Sequence, residues 1–480
     1  MNNSTQEQMR PKTAAKKTII CAAVLLSAAI LLDARALFQS EYAVGVDGYY
    51  YVLQVDTFLR YGNSYFPTET PLVLCFLTSL AFIIGDSVLA IKIGAILLQA
   101  GLCLGILAVV TSITRNILFG IFGMAIAAFS NLHLYLLGEF INNLGALTLL
   151  VWGGFGLVRF RQTGSRVWLI LALTTLVGAL LSHRSTLWVI IVGLISLVLS
   201  WFFLKAKTKK SMFFVLLLLA ILLTFPLAIY WQPIIELPLF INEEILKFPR
   251  NPFRQLILAE SMMILLALFV WLRSLWVKAE RFCYSEMLAL TAVLAWSFLT
   301  TLNPFLNHQT GFHRVFGRLD ILVFVQAAIA VPLSISLATK NLKLFIRLLV
   351  AAPFAGLLCW SYLVPPPVGL SKEYLEERQA LIRQLQTTPH LFCDKPLIIA
   401  PHGKQFVVTS VLGIPSQQTP PGENLYQCIY WLVQKGDRTS PEFVLIEDSE
   451  FRKIVSSLSA EDLEKLISSN PHLNRFKRKI

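Results

Sequence analysis

The chain reads first as a succession of long apolar runs. Stretches near residues 17–36, 88–110, 117–136, 140–158, 167–182, 185–204, 211–230, 256–276, 285–302, 319–338 and 345–364 are dominated by Leu, Ile, Val, Ala and Phe. A helix needs about 20 apolar residues to cross a bilayer. Lipid offers no partner to backbone N–H and C=O groups, so helices are the expected form. The pattern predicts an all-α polytopic membrane protein over residues 1–364, with about eleven transmembrane helices.

Two shorter elements interrupt the series. Residues 48–61 place Tyr51, Val55, Phe58 and Leu59 at helical spacing, which predicts an amphipathic helix on the membrane surface with its tyrosines at headgroup level. Residues 72–84 are apolar but short for a full span, and are expected to form a second interfacial or half-inserted helix. After Val364 the pattern changes. "VPPPVGL" is a stiff linker, and residues 371–480 are far more polar. There "KPLIIAPHG" reads as a strand and turn, "KQFVVTSVLG" as a short helix or strand, and "PEFVLIED" as another strand, with helices at 372–387 and 460–469. Residues 365–480 therefore predict a small α/β domain.

Charge orients the chain. It has 480 residues, 56% hydrophobic and 14% charged, with a net charge of +13. The excess does not point to nucleic acid, because the basic residues fall in alternate short loops: Lys16 and Lys17, Arg115, Arg159 to Arg166, Lys205 to Lys210, Arg273 to Arg281, and Lys340 to Arg347. With the N-terminus in the cytoplasm, every inner loop is basic, as the positive-inside rule requires. No small-residue cleavage site follows the first apolar run, which is expected to be an uncleaved span of a multi-pass protein of the cytoplasmic membrane. An odd number of spans puts the C-terminal domain on the outer side. There Cys393 and Cys428 are either a disulfide or two unpaired thiols. The other five of the seven cysteines lie in or beside apolar runs and read as packing residues.

This orientation also sorts the remaining polar groups. Asp47, Asp56 and Asp86 fall in the first external loop (37–87), and Glu139, His183, Arg184, His313, Arg314 and Arg318 fall in later external loops. Asp47 is either a functional carboxylate at the head of the 48–61 helix or an ordinary N-cap. Asp56 reads as a solvated face. The Tyr49–Tyr51 run is an interfacial anchor, with sugar stacking by one ring, such as Tyr50, as the alternative. Glu139 either serves the site or faces water at a span end. His183 and Arg184 either contact a substrate or mark a turn. Lys92 either reaches a ligand or snorkels. His308, His313, Arg314 and Arg318 fit phosphate better than zinc, for which two histidines five residues apart lack further ligands.

The order of these features resembles the GT-C class of membrane glycosyltransferases, which includes protein O-mannosyltransferases, the lipid A aminoarabinose transferase and the oligosaccharyltransferase catalytic subunit. The matching elements are "GVDGYYYVLQ" in the first external loop, the turn "PTETPL", the short helix leading to "GDSVLAIKIGAIL", the basic turn "TSITRN", the acid of "LHLYLLGEFINN", then "LSHRST" and "FHRVFGRLDILVF". The resemblance implies a sugar donor linked to a polyprenyl phosphate and a lipid, glycan or protein acceptor. It implies Asp47 as the general base, with Glu139 as the second-loop acid. Arg314 and Arg318, with His313 and Lys92, would contact the donor phosphate, and Tyr50, His183 and Arg184 the acceptor or sugar. Two patterns are missing. Gly48 follows Asp47 where protein O-mannosyltransferases carry Asp-Glu, and the oligosaccharyltransferase Trp-Trp-Asp motif is absent. No cofactor is assigned, and the need for a divalent metal stays open. The rival reading is a transporter or flippase of a lipid-linked sugar. That class predicts inverted repeats and broken helices at mid-membrane, and the sequence displays neither.

Overall fold

The computed structural model describes residues 12–65, 72–183, 252–278, 323–339, 344–387, 393–418, 426–435 and 442–470, with a few single positions besides. The first part is helical: α1 (Lys12–Leu37), α2 (Gly48–Tyr61), α3 (Leu72–Ile84), α4 (Ser87–Thr114), α5 (Ile117–Phe129), α6 (His133–Gly138), α7 (Ile141–Thr163), α8 (Arg166–Leu180), α9 (Pro252–Lys278), α10 (Val323–Thr339) and α11 (Leu344–Leu363). Among the described residues three helices are long and apolar enough to cross a membrane, at Thr18–Leu37, Ser87–Thr114 and Ile141–Thr163. Shorter apolar helices, among them Ile117–Phe129 and Val323–Thr339, pack around them. The expected spans at 211–230 and 285–302, and most of 185–204, lie outside the described residues.

Both short elements of the first loop form where the apolar spacing put them, as α2 and α3. The run at 117–136 does not form one span. It stops at Phe129, where Ser130 adopts an extended backbone, and resumes as the short α6. The reason is polar. Asn131 donates to the carbonyls of Tyr362 and Val364 at 2.9 and 2.7 Å, tying the break to the end of α11. Inside the bundle a buried polar seam crosses four helices. His133 Nε2 lies 2.8 Å from Asp33 Oδ1, its Nδ1 meets the Ser130 carbonyl, and Ser361 Oγ donates to Glu260 Oε1 at 3.1 Å.

The C-terminal domain begins with α12 (Lys372–Thr387) and continues through β1 (Pro396–Ile399), α13 (Lys404–Leu412), β2 (Ser416–Gln417), β3 (Cys428–Lys435), β4 (Glu442–Glu447), α14 (Asp448–Ser457) and α15 (Ala460–Ser469). The sheet order is β2-β1-β3-β4. β1 runs parallel to β2 and β3, and β4 closes the edge antiparallel to β3, with Trp431 opposite Ile446. Alternate strand residues face opposite ways. Ile398 and Leu432 join a core shared with α12, α13 and the helical bundle. Leu397, Ile399, Trp431 and Val433 form a second core with Phe451, Val455 and Leu463 of α14 and α15. The domain thus shares apolar packing with the bundle instead of hanging from its linker. Cys393 and Cys428 are bonded, which decides between the two readings of that pair.

Candidate functional site

The site is built on the loop between α1 and α2. Gly45 has φ +84°, a left-handed backbone that favours glycine. A Cβ there would lie 2.0 Å from the Gly138 carbonyl oxygen, so only glycine lets the first loop lie against the end of α6. From the other side Gly369 accepts from the Gly45 N–H at 3.0 Å. Arg378 of α12 is 4% exposed. Its guanidinium donates to the carbonyls of Ala43 and Gly45, each at 2.6 Å, and to the Tyr374 hydroxyl at 2.9 Å. A fork of rigid donors suits such converging carbonyls. The loop is therefore clamped between the end of α6 and the C-terminal domain.

That clamp presents Asp47. It sits at the N-cap position of α2, yet its side chain makes no capping hydrogen bond, which removes the ordinary-cap reading. Its Oδ1 is buried without an aligned hydrogen-bond partner. The nearest group is His402 Nε2, 3.1 Å away in an ion-pair contact. His402 lies in the turn between β1 and α13. Its contact with Asp47 raises its pKa above the usual value against the opposing effect of burial, and the charges of Asp47 and Glu139 add to the rise.

Glu139 follows α6 and is half-buried. The Tyr51 hydroxyl donates to its backbone carbonyl at 3.5 Å and accepts from the Asn142 N–H at 3.4 Å, so α2 is fastened to the second loop beside the acid. Glu139 also acts electrostatically on His402 and Tyr374. The structure thus brings Asp47 and Glu139 to one junction and adds His402, Arg378 and Tyr374, which sequence reasoning did not single out.

Tyr50 and its neighbours are placed differently from the surface-anchor reading. Tyr49 and Tyr51 are 6% and 5% exposed: Tyr51 is held by the second loop, the Arg378 guanidinium lies 5.6 Å from the Tyr49 ring centroid, and Tyr50 meets Phe406 of α13 edge-on at 5.4 Å. Asp56 is not a solvated face either: it is half-buried and accepts from Ser87 Oγ at the start of α4. Lys92 is buried, with its ammonium 2.6 Å from the Ser40 carbonyl and 5.3 Å from the Phe38 ring centroid. It holds the segment that leaves α1. His183 is half-buried just after α8, its N–H bonded to the Ala179 carbonyl at 3.2 Å. Arg184, His313, Arg314 and Arg318 lie outside the described residues, as does the proline turn at 67–71.

A signal for His402 was present. In open α/β sheets, ligands meet the carboxyl ends of parallel strands, and "APHGK" follows strand β1 there. Among the described residues no three His, Cys, Asp or Glu side chains gather as a metal centre would require. Asp47 and His402 alone do not make one.

No protein-family model and no curated protein matches the sequence. The fold is similar to crystal structures of the Archaeoglobus fulgidus oligosaccharyltransferase. The apo form has a TM-score of 0.51 at 11% identity, covering 82% of this chain and 64% of that one. The form tethered to an acceptor peptide with the NVT sequon has a TM-score of 0.50 at 11% identity, covering 82% and 63%. The complex with Zn and sulfate has a TM-score of 0.51 at 12% identity, covering 82% and 62%. The chain spans less than two thirds of the length of that enzyme. At this identity the likeness is one of fold alone.

Proposed function

We propose that the chain is an integral-membrane glycosyltransferase that moves a sugar from a polyprenyl-phosphate-linked donor to an acceptor on the outer face of the membrane. The observation that carries this reading is the Asp47 carboxylate. It is not spent on capping its helix, and it stands where the first loop, the second loop and the C-terminal domain meet. A carboxylate so placed is suited to take the proton of an acceptor hydroxyl or amide. The acceptor heteroatom then bonds to the anomeric carbon, the bond from that carbon to the phosphate oxygen breaks, and the polyprenyl phosphate leaves with the electron pair. Glu139, at the same junction, is suited to hold the acceptor. Arg314 and Arg318, with His313, remain the proposed cations for the phosphate, since arginine forks match its oxygens; Lys92, expected beside them, is instead committed to the Ser40 carbonyl. Tyr50, His183 and Arg184 remain the proposed sugar or acceptor contacts. No step here is routed through a metal.

An outer-face location is supported by the basic alternate loops and by the Cys393–Cys428 disulfide, which is at home in an oxidising compartment. On this reading the chain crosses the cytoplasmic membrane about eleven times, as the apolar runs predict, with the 117–136 run crossing as the broken pair α5 and α6. The similar fold of an oligosaccharyltransferase tethered to an acceptor peptide supports a peptide acceptor, and glycan and lipid acceptors stand beside it.

The test is reconstitution of the full chain in liposomes with polyprenyl-phosphate and polyprenyl-diphosphate sugars, following both sugar release from the carrier and carrier movement between leaflets. Release of sugar from the carrier supports the transferase. Movement of intact donor without release overturns it in favour of a flippase.

A further inference from the structure

The contact between Asp47 and His402 joins two parts of the molecule that the bundle alone would not join. β1 ends at Ile399 and α13 starts at Lys404, so His402 rides on a four-residue turn at the carboxyl end of a central parallel strand. The turn is pressed onto the Asp47 loop. Gly403 has φ +82°, and a Cβ there would lie 2.9 Å from both the Val46 carbonyl oxygen and Val46 Cγ1. Phe406, one helical turn on, meets the His402 ring edge-on at 5.8 Å and the Tyr50 ring at 5.4 Å.

Both ring nitrogens are engaged. Nδ1 lies 2.7 Å from Gln418 Nε2. An amide N–H donating there leaves the ring proton on Nε2, the nitrogen that lies 3.1 Å from Asp47 Oδ1. The charges that act on the ring are those of Asp47 on the first loop and Glu139 after α6. The nearby Lys404 ammonium is held by Glu377 and Gln434. His402 is therefore the donor beside Asp47, and among the described residues no group is bonded to Oδ2.

We infer that His402 is a positioning residue for the Asp47 carboxylate: the C-terminal domain delivers an imidazole that holds Oδ1 and turns Oδ2 toward the acceptor proton. The domain is then part of the catalytic site, and the bundle without it is incomplete. The inference rests on the reading of Asp47 as the base.

The experiment uses full-length protein in liposomes, with a polyprenyl-phosphate sugar that the wild type consumes as probe. His402→Ala lowers kcat by about 10- to 100-fold, the order set by one hydrogen bond to a charged group. The donor KM changes less than kcat. His402→Gln, whose amide also donates, recovers part of the loss. Asp47→Asn combined with His402→Ala is no slower than Asp47→Asn alone, because the two act as a unit. If His402→Ala and His402→Gln both keep wild-type kcat while Asp47→Asn is inactive, the positioning role is overturned and the base assignment stands. If Asp47→Asn itself keeps wild-type kcat, the base assignment falls and takes the inference with it. Should His402→Ala misfold by thermal unfolding, the Gln variant carries the comparison.

Discussion

At the scale of single residues, the position of the Asp47 carboxylate depends on Gly45. A side chain at Gly45 would be strained by its positive φ and would collide with the Gly138 carbonyl. Gly45→Ala is expected to destabilise the protein by about 1–3 kcal/mol, and to lower donor turnover as Asp47 shifts. Thermal unfolding and turnover of the same preparation check both. A variant with wild-type values in each would mean that the loop relaxes without consequence. Asp47 was legible in the sequence because an acid at the head of a short helix, outside an apolar run, is an expensive placement. His402 was not singled out: "APHGK" after a strand marks a place where ligands can meet a sheet, but the partner that gives the histidine its meaning lies hundreds of residues earlier. The tyrosine run was misread for the same reason: tyrosines beside a membrane normally anchor at headgroups, whereas Tyr49 is buried beside Arg378 of the docked domain and Tyr51 against the second loop.

At the scale of elements, α12 links the domain to the site. The spacing of its apolar residues was enough to predict the helix over 372–387, and Lys372–Thr387 forms. That Arg378 lies on its buried face could not be read, since arginine in an amphipathic helix normally marks the solvated side. Its fork reaches two carbonyls and a tyrosine hydroxyl at once, which a lysine ammonium cannot reproduce in the same plane. Arg378→Lys is expected to cost about 1–3 kcal/mol from donor groups lost to buried carbonyls. It should also raise protease cleavage in the 364–371 linker and slow turnover. Limited proteolysis in detergent reads this directly, and unchanged cleavage would mean that the clamp does not hold the domain. The same limits explain other differences. β3 escaped detection because "CIYWLVQK" is buried on both faces and lacks alternation, while α5 ended early because the carbonyls that Asn131 seeks belong to α11.

At the scale of the whole molecule, the bundle and the sheet share one apolar core, so the C-terminal domain and the membrane helices should unfold in a coupled way. The Cys393–Cys428 bond closes a loop across a sequence separation of 35 residues. Cys428→Ser is expected to lower stability by about 3–4 kcal/mol on the chain-entropy account. The loss should appear in turnover as well as in the melting of the sheet, because the sheet carries His402. A variant that melts early yet retains full turnover would separate domain from site. The most direct test of the central claim is single-turnover kinetics of wild type against Asp47→Asn in liposomes, with donor binding measured on the same samples. A general base contributes typically about 10²- to 10⁴-fold to rate. The account predicts that Asp47→Asn binds the polyprenyl-phosphate sugar as the wild type does and loses at least that order of chemical rate. Wild-type rate in Asp47→Asn, with binding intact, would contradict it.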